Sequence, residues 1–218
     1  MFKPELLLPA GNIETFSAAI EGGANAVYLG LKKFNARNRA RNFTENDLIN
    51  IISEAHRNKC KVYVTLNTLI KNNELSELVN YLSFLNQVVP DAVIVQDFAT
   101  IALINKYFRN LKIHASTQMS SHNSAASKFF KNAGVERIIL SRELTASELK
   151  ETTKNSVLPV EVFVHGALCY SFSGQCLFSS YLGGNSANRG MCAQVCRRNF
   201  SVNKNKSALF SLKDFELI

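Results

Sequence analysis

The chain has 218 residues, 46% of them hydrophobic, and a formal charge of +8. That composition supports one domain with a substantial core, and no run approaches the roughly 20 apolar residues of a membrane-spanning helix, which excludes that class. The apolar run at residues 6–8 is too short for a secretory signal and lacks a cleavage site, so a cytoplasmic protein is expected, with the positive charge suiting a polyanionic partner such as RNA.

Short β-branched apolar runs alternate with segments of helical spacing. The runs fall at residues 5–8, 26–29, 62–66, 92–95, 113–115, 137–140 and 161–164. Between the second and third runs, Leu48, Ile51, Ile52 and Ala55 line one helical face. Between the third and fourth, Leu75, Leu78, Val79, Leu82 and Leu85 do the same. Thr44 is placed to cap the first of these helices, Thr145 and Glu148 make a capping-box pattern, and Gly22 and Gly134 suit helix ends. Strands linked by helical crossovers predict a parallel sheet, and mostly apolar strands predict cover on both faces. The fold class is α/β, with a (β/α)8 TIM-barrel-like domain favoured over an open doubly wound sheet. The eighth unit is incomplete. Residues 207–213 can form a strand, residues 199–202 can pair with it as a hairpin, and no eighth helix follows.

Each predicted strand ends in residues that do not suit a core. The second leads into a loop with Arg37, Arg39 and Arg41, and the third ends at Asn67. The fourth ends at Gln96 and Asp97, the fifth runs through His114 to Gln118, the sixth ends at Arg142 and Glu143, and the seventh at His165. In a βα barrel these ends share the face on which active sites form. Plain structural roles are also open to them: Asp97 as a helix cap, Arg142 and Glu143 as a surface pair, His114 as a buried histidine. His56 and His122 are expected to be solvated and Cys60 to be a small buried residue. A second basic cluster comprises Arg189, Arg197, Arg198, Lys204 and Lys206.

Four of the five cysteines, Cys169, Cys176, Cys192 and Cys196, lie in residues 165–198, a Cys-rich insertion after the seventh strand. Four gathered thiolates hold one tetrahedral zinc or one iron–sulfur cluster. Zinc sites usually contain two close pairs. Six residues separate the first pair here, which places a cluster modestly ahead of zinc. In a reducing compartment disulfides are disfavoured. The sequence contains no Cys-x3-Cys-x2-Cys run, no Gly-x-Ser-x-Gly and no His-Glu-x-x-His.

The run from Glu161 through His165, Cys169, Gly174 and Cys176 to Ser179 resembles the signature of the peptidase U32 family, the collagenase-like proteins. The likeness extends over residues 5–11, 23–30, 34–37, 64–68, 93–97, 113–118, 140–144 and 186–190. It implies a four-iron–four-sulfur (4Fe-4S) cluster on these cysteines, with Cys196 the least secure ligand because in some relatives the fourth lies further downstream. It also implies one U32-type barrel domain over residues 1–218, truncated with respect to relatives that continue further. Two branches hydroxylate a pyrimidine at its fifth ring carbon, in 23S rRNA or in tRNA, and both are linked to prephenate. The present motifs are most similar to the rRNA branch, giving 5-hydroxycytidine, with the tRNA uridine branch the runner-up.

On this resemblance, Arg37, Arg39, Arg41, Asn67, Arg189, Arg197 and Arg198 would face RNA, and Arg37 and Arg142 would suit the carboxylates of prephenate. His114, Gln118, Asp97, Arg142, Glu143 and His165 would orient substrate or transfer protons. The competing expectations are a collagenase-like peptidase, as the family name states, and a non-catalytic cluster-bearing partner of another protein.

Overall fold

The computed structural model describes residues 3–38, 40–166 and 169–200, together with the backbone of a short strand at Phe210–Ser211. Seven strands form one sheet: β1 (Leu7–Ala10), β2 (Ala26–Gly30), β3 (Lys61–Leu66), β4 (Ala92–Val95), β5 (Ile113–Ala115), β6 (Arg137–Ile139) and β7 (Val160–Glu161). Their spatial order is their chain order, and every neighbouring pair is parallel. The crossovers are α1 (Ile13–Glu21), α2 (Glu45–Arg57), α3 (Leu75–Val88), α4 (Phe98–Tyr107), α5 (Ser124–Asn132) and α6 (Ala146–Asn155). A doubly wound sheet reverses strand order at a switch point. This sheet has no reversal, so its winding is that of a βα barrel.

The sheet is strongly curled. Five strand spacings of about 4.8 Å would put β1 and β6 roughly 24 Å apart in a flat sheet. Instead Arg137, the first residue of β6, meets Glu5, just before β1, at 2.7 Å. The ring centroids of Tyr63 on β3 and His114 on β5 are 4.7 Å apart. Among the described residues no eighth strand joins the sheet, so the architecture is a TIM-barrel-like half-barrel.

Alternation along the strands sorts side chains to two faces. Val62, Val64 and Leu66 of β3 and Val93 and Val95 of β4 pack outward in the main core, with Leu48, Ile51, Leu82 and Leu85 of the helices. Ala26, Tyr63, Ala92, Ile94 and Ile139 form a separate inner cluster. Thr44 with Asp47 and Thr145 with Glu148 close capping boxes on α2 and α6, as their spacing predicts.

Several boundaries differ from expectation, among them one-residue shifts at the end of β2 and the starts of β3 and β7. β1 begins two residues later than predicted, and β6 ends one residue earlier. β7 ends at Glu161, and Val162 to Val164 leave the sheet. With no neighbour on that edge among the described residues, nothing pairs their backbone, and Val164 is 87% exposed. The expected hairpin is present where it is described: β8 (Asn199–Phe200) pairs antiparallel with β9 (Phe210–Ser211). Among the described residues no helix is long and apolar enough to cross a membrane.

Candidate functional site at the barrel mouth

The cysteine-bearing segment after β7 folds back over the C-terminal ends of the strands. It includes one short helix, α7 (Phe178–Gly183). Three sets of contacts hold it there. On one side, Glu143 accepts from the Ser173 backbone N–H at 2.6 Å and from its hydroxyl at 2.8 Å. Ser120 donates to the Ser173 carbonyl at 2.6 Å. On the opposite side, Arg189 grips Glu74 with both arms, at 3.0 and 2.6 Å, and donates to the Leu69 carbonyl at 2.8 Å.

The third set lies in the centre. Gln96 follows β4 on its inner face and is 5% exposed. In the amide orientation that pairs it, its nitrogen donates to the Asn67 carbonyl at 2.9 Å, to Gln118 Oε1 at 3.1 Å and to the Asn188 carbonyl at 3.3 Å. One buried carboxamide thus links the ends of three strands to the segment.

Two glycines let the segment approach this closely. Gly174 has φ +78°, and a Cβ there would lie 2.0 Å from the Gln118 carbonyl oxygen. Gly190 has φ +82°, and its Cβ would lie 2.2 Å from the Asn35 carbonyl oxygen. Both positions combine left-handed backbone with direct contact, so only glycine fits.

All four segment cysteines are free thiols. Cys169 and Cys192 are exposed, and Cys176 and Cys196 are half-buried. Burial pushes the Cys196 thiol up, Arg197 draws it down, and Cys192 and Cys169 push it up further, so both of these thiols lie within electrostatic reach of Cys196. Among the described residues no three His, Cys, Asp or Glu side chains stand together at metal-ligand spacing. The donor chemistry suits a soft metal or cluster, and closing the ligand set requires the thiols to draw together. Cys60 lies apart, buried in the main core as expected.

The predicted site residues separate into groups. Gln118 and Asn67 are at the mouth beside Gln96. Arg142 lies over the Phe163 ring at 5.2 Å, and His165 is exposed. Arg37 and Arg198 are exposed, Arg41 is 3.8 Å from Glu14, and Arg197 lies over the Tyr170 ring at 5.0 Å. Arg39, Lys204 and Lys206 fall outside the described residues. Asp97 caps α4, accepting from Ala99 and Thr100, and its second oxygen accepts from the Ile70 N–H. Glu143 and Arg189 fasten the segment, as described above.

His114 lies one layer below the mouth, not in it. It pairs in register with Ile94 and Arg137, faces Tyr63 and is 5% exposed. Burial, with Arg137 nearby, pushes it down to about 3, so it is neutral. Around it lies a charged floor at the N-terminal end of the barrel. Burial pushes Glu5 up, but hydrogen bonds from Arg137, Lys61 and Tyr63 outweigh it and hold the carboxyl at about 2. Burial lifts Glu161 to about 7 against the pull of Arg137, 3.5 Å away. The expectation that His122 is solvated is also corrected. It is half-buried, 3.6 Å from Glu143, with Nδ1 2.9 Å from the Ser120 carbonyl.

Ser173, Glu143 and His122 do not make a hydrolase triad. The serine hydroxyl donates to the carboxylate, where a nucleophile would need the imidazole.

The family model described as Peptidase family U32 matches residues 11–218. The chain belongs to the U32 peptidase family. Its relatives include an uncharacterized protease of Methanocaldococcus jannaschii, 44% identical over 93% of this chain and 50% of that protein. The tRNA hydroxylation protein P of Escherichia coli is 39% identical over 94% of this chain and 46% of its own length. The 23S rRNA 5-hydroxycytidine synthase of Escherichia coli is 36% identical over 95% of this chain and 31% of its own length. The chain therefore spans about half or less of the curated U32 relatives it matches. A solved U32 peptidase structure shares the fold, with a TM-score of 0.64 at 13% identity over 78% of this chain and 74% of that one.

Proposed function

We propose that this chain carries the catalytic barrel of an RNA hydroxylase that adds oxygen at the fifth carbon of a pyrimidine, in 23S rRNA or in tRNA. The observation that carries the reading is the thiol-bearing segment fastened over a mouth of neutral amides, in a chain related to an RNA hydroxylation protein and a 5-hydroxycytidine synthase.

Cys169, Cys176, Cys192 and Cys196 would hold a 4Fe-4S cluster above that mouth, with zinc as the alternative occupant. Bound there, a cluster supplies one-electron redox chemistry. The chain's own residues do the rest. Exposed Arg37 and Arg198, with Arg41, contact RNA phosphates. The target base enters the mouth out of any stack, above Gln96 and between Asn67 and Gln118. Arg142, over Phe163, offers its guanidinium to a carboxylate co-substrate such as prephenate. His114, buried and neutral, supports the wall below and does not exchange protons with substrate.

The test is to express the full chain in a host stripped of its own enzymes for this modification and to quantify nucleosides from its tRNA and 23S rRNA. Appearance of a 5-hydroxypyrimidine is expected. Unmodified RNA, together with gelatin cleavage by the purified chain, would overturn the reading in favour of a peptidase.

A further inference from the structure

Two of the six crossover helices differ from the rest in charge. Residues 98–135, which include α4 and α5, contain no Asp or Glu, whereas α1, α2, α3 and α6 each carry at least one. The same stretch holds Lys106, Arg109, Lys112, Lys128 and Lys131, all exposed and none in an ion pair among the described residues. These helices also carry the exposed aromatics of the helical wall. Phe98, Tyr107 and Phe129 are each more than half exposed, while the aromatics of α1 and α3 are buried or half-buried. Phe98 and Phe129 reach across from α4 to α5, with ring centroids 6.4 Å apart and planes at 84°. Helical spacing puts Lys106 on the same exposed stripe of α4 as Phe98 and Ala102, and Lys128 lies beside Phe129 on α5. Phe98 directly follows Gln96 and Asp97. The face therefore begins at the rim of the mouth and runs down the outer wall along α4, for about 15 Å.

We infer that the α4–α5 face is a docking platform for an unpaired RNA strand, separate from the arginines at the mouth. Bases stack on Phe98 and Phe129 there, and Lys106 and Lys128 hold phosphates. This rests on the RNA reading above and adds a second contact surface to it. Every base has an aromatic face, so exposed rings take up single strands whatever their sequence, while interleaved cations track the backbone. A duplex offers phosphates but keeps its base faces stacked. A face of about 15 Å takes about four stacked nucleotides at about 3.4 Å each. The missing carboxylates matter as much as the cations, because the strand meets a field of one sign. The same charge argues against a second copy of this chain on the face, since a two-fold contact would set like charges against each other.

Fluorescence anisotropy of the full chain with a labelled single-stranded RNA of about twelve nucleotides, over a range of salt concentrations, tests this. Replacing both Phe98 and Phe129 by Ala should weaken binding about tenfold or more. Replacing both by Tyr should keep it, because the rings remain. Lys106→Gln with Lys128→Gln should weaken binding and flatten the slope of log affinity against log salt by about 1.4, at about 0.7 per lost phosphate contact. Lys150→Gln with Lys154→Gln removes the same charge from exposed positions on α6 and should leave the slope nearly unchanged. Undiminished binding by the alanine pair, or equal losses in the two lysine pairs, would overturn the inference and leave the RNA reading standing. Vesicles containing phosphatidylserine form the other arm. Vesicle binding that the alanine pair abolishes while RNA binding stays intact would overturn the inference and assign the face to a membrane surface. No RNA binding by the unaltered chain would overturn both readings.

Discussion

Glu143 holds Ser173 twice, through the backbone N–H at 2.6 Å and the hydroxyl at 2.8 Å, across 30 residues of sequence. This is the firmest tie between the barrel and the loop joining Cys169 to Cys176. Glu143→Gln keeps the shape but sets an NH2 group against one of Ser173's donors, at a cost of about 1–3 kcal/mol. Hydrogen exchange in residues 170–176 should accelerate while exchange in the β-strands stays unchanged. Burial pushes the Glu143 carboxyl up, and the two bonds from Ser173 more than reverse this and hold it below the usual carboxylate range. A depressed carboxylate contributes stability that is present above its unfolded value and lost as pH falls through its folded value. Protection of residues 170–176 should therefore fade on acidification below the usual carboxylate range, and in Glu143→Gln that acid dependence should vanish.

The two close-approach glycines predict a separation of local and global effects. Gly174→Ala and Gly190→Ala each drive a methyl into a backbone carbonyl, and something must shift. The segment should lift from the mouth, abolishing any activity that needs it, while the barrel's far-ultraviolet circular dichroism persists. Gly184→Ala is the control. It has φ +64° but no atom within 4 Å of its Cβ, so only backbone strain of about 1 kcal/mol is expected. Equal loss of function in all three would show that close approach is not what matters.

The charged floor predicts an opposite pH response. Glu161 has a raised carboxyl, so its ionisation destabilises the fold progressively as pH rises from the usual carboxylate value towards about 7, and by a constant amount above that. Glu161→Gln should be nearly neutral at pH ~4 and stabilising by up to about 3 kcal/mol at pH ~8, measured by urea denaturation. Arg137→Met should destabilise by about 3–5 kcal/mol at neutral pH, because it strands Glu5 and Glu161 together.

Much of this architecture was legible in residue order. Strand runs of the right length, separated by helical stripes, specify the winding, because hydrophobic periodicity is a local signal. The boundaries of β4 and β5 match expectation to the residue. The cysteine spacing marked the segment, and its position after β7 put it by the C-terminal ends of the strands, where Ser173 meets Glu143. The fastenings were not legible, because they join residues far apart in sequence. Arg189 reads as part of a basic cluster until Glu74, 115 residues away, occupies both its arms. Gln96 looked like a strand-end amide, and its partner Asn188 comes from another segment altogether. His114 takes the buried role that was also open to it. A polar residue near a strand end suggests the mouth, but β5 is three residues long, and His114 is its middle residue, facing inward against Tyr63. The two glycines had a readable sign, since glycine often marks a left-handed turn or a close backbone approach.

The same arrangement sets the expectation for the thiols. Cys169→Ser or Cys192→Ser removes a donor from a segment whose attachment to the barrel does not involve it. Thermal stability of the barrel should therefore change little while bound metal is lost, as followed by circular dichroism beside metal analysis. A barrel that unfolds in either variant would instead make these cysteines structural.

Iron, acid-labile sulfide and zinc content, measured on the full chain purified without oxygen, test the central claim that the fastened segment carries a redox cluster above the mouth. About four irons and four sulfides per chain, with a broad visible absorption that Cys169→Ser abolishes, is the predicted result. One zinc per chain, or no metal at all, would contradict it.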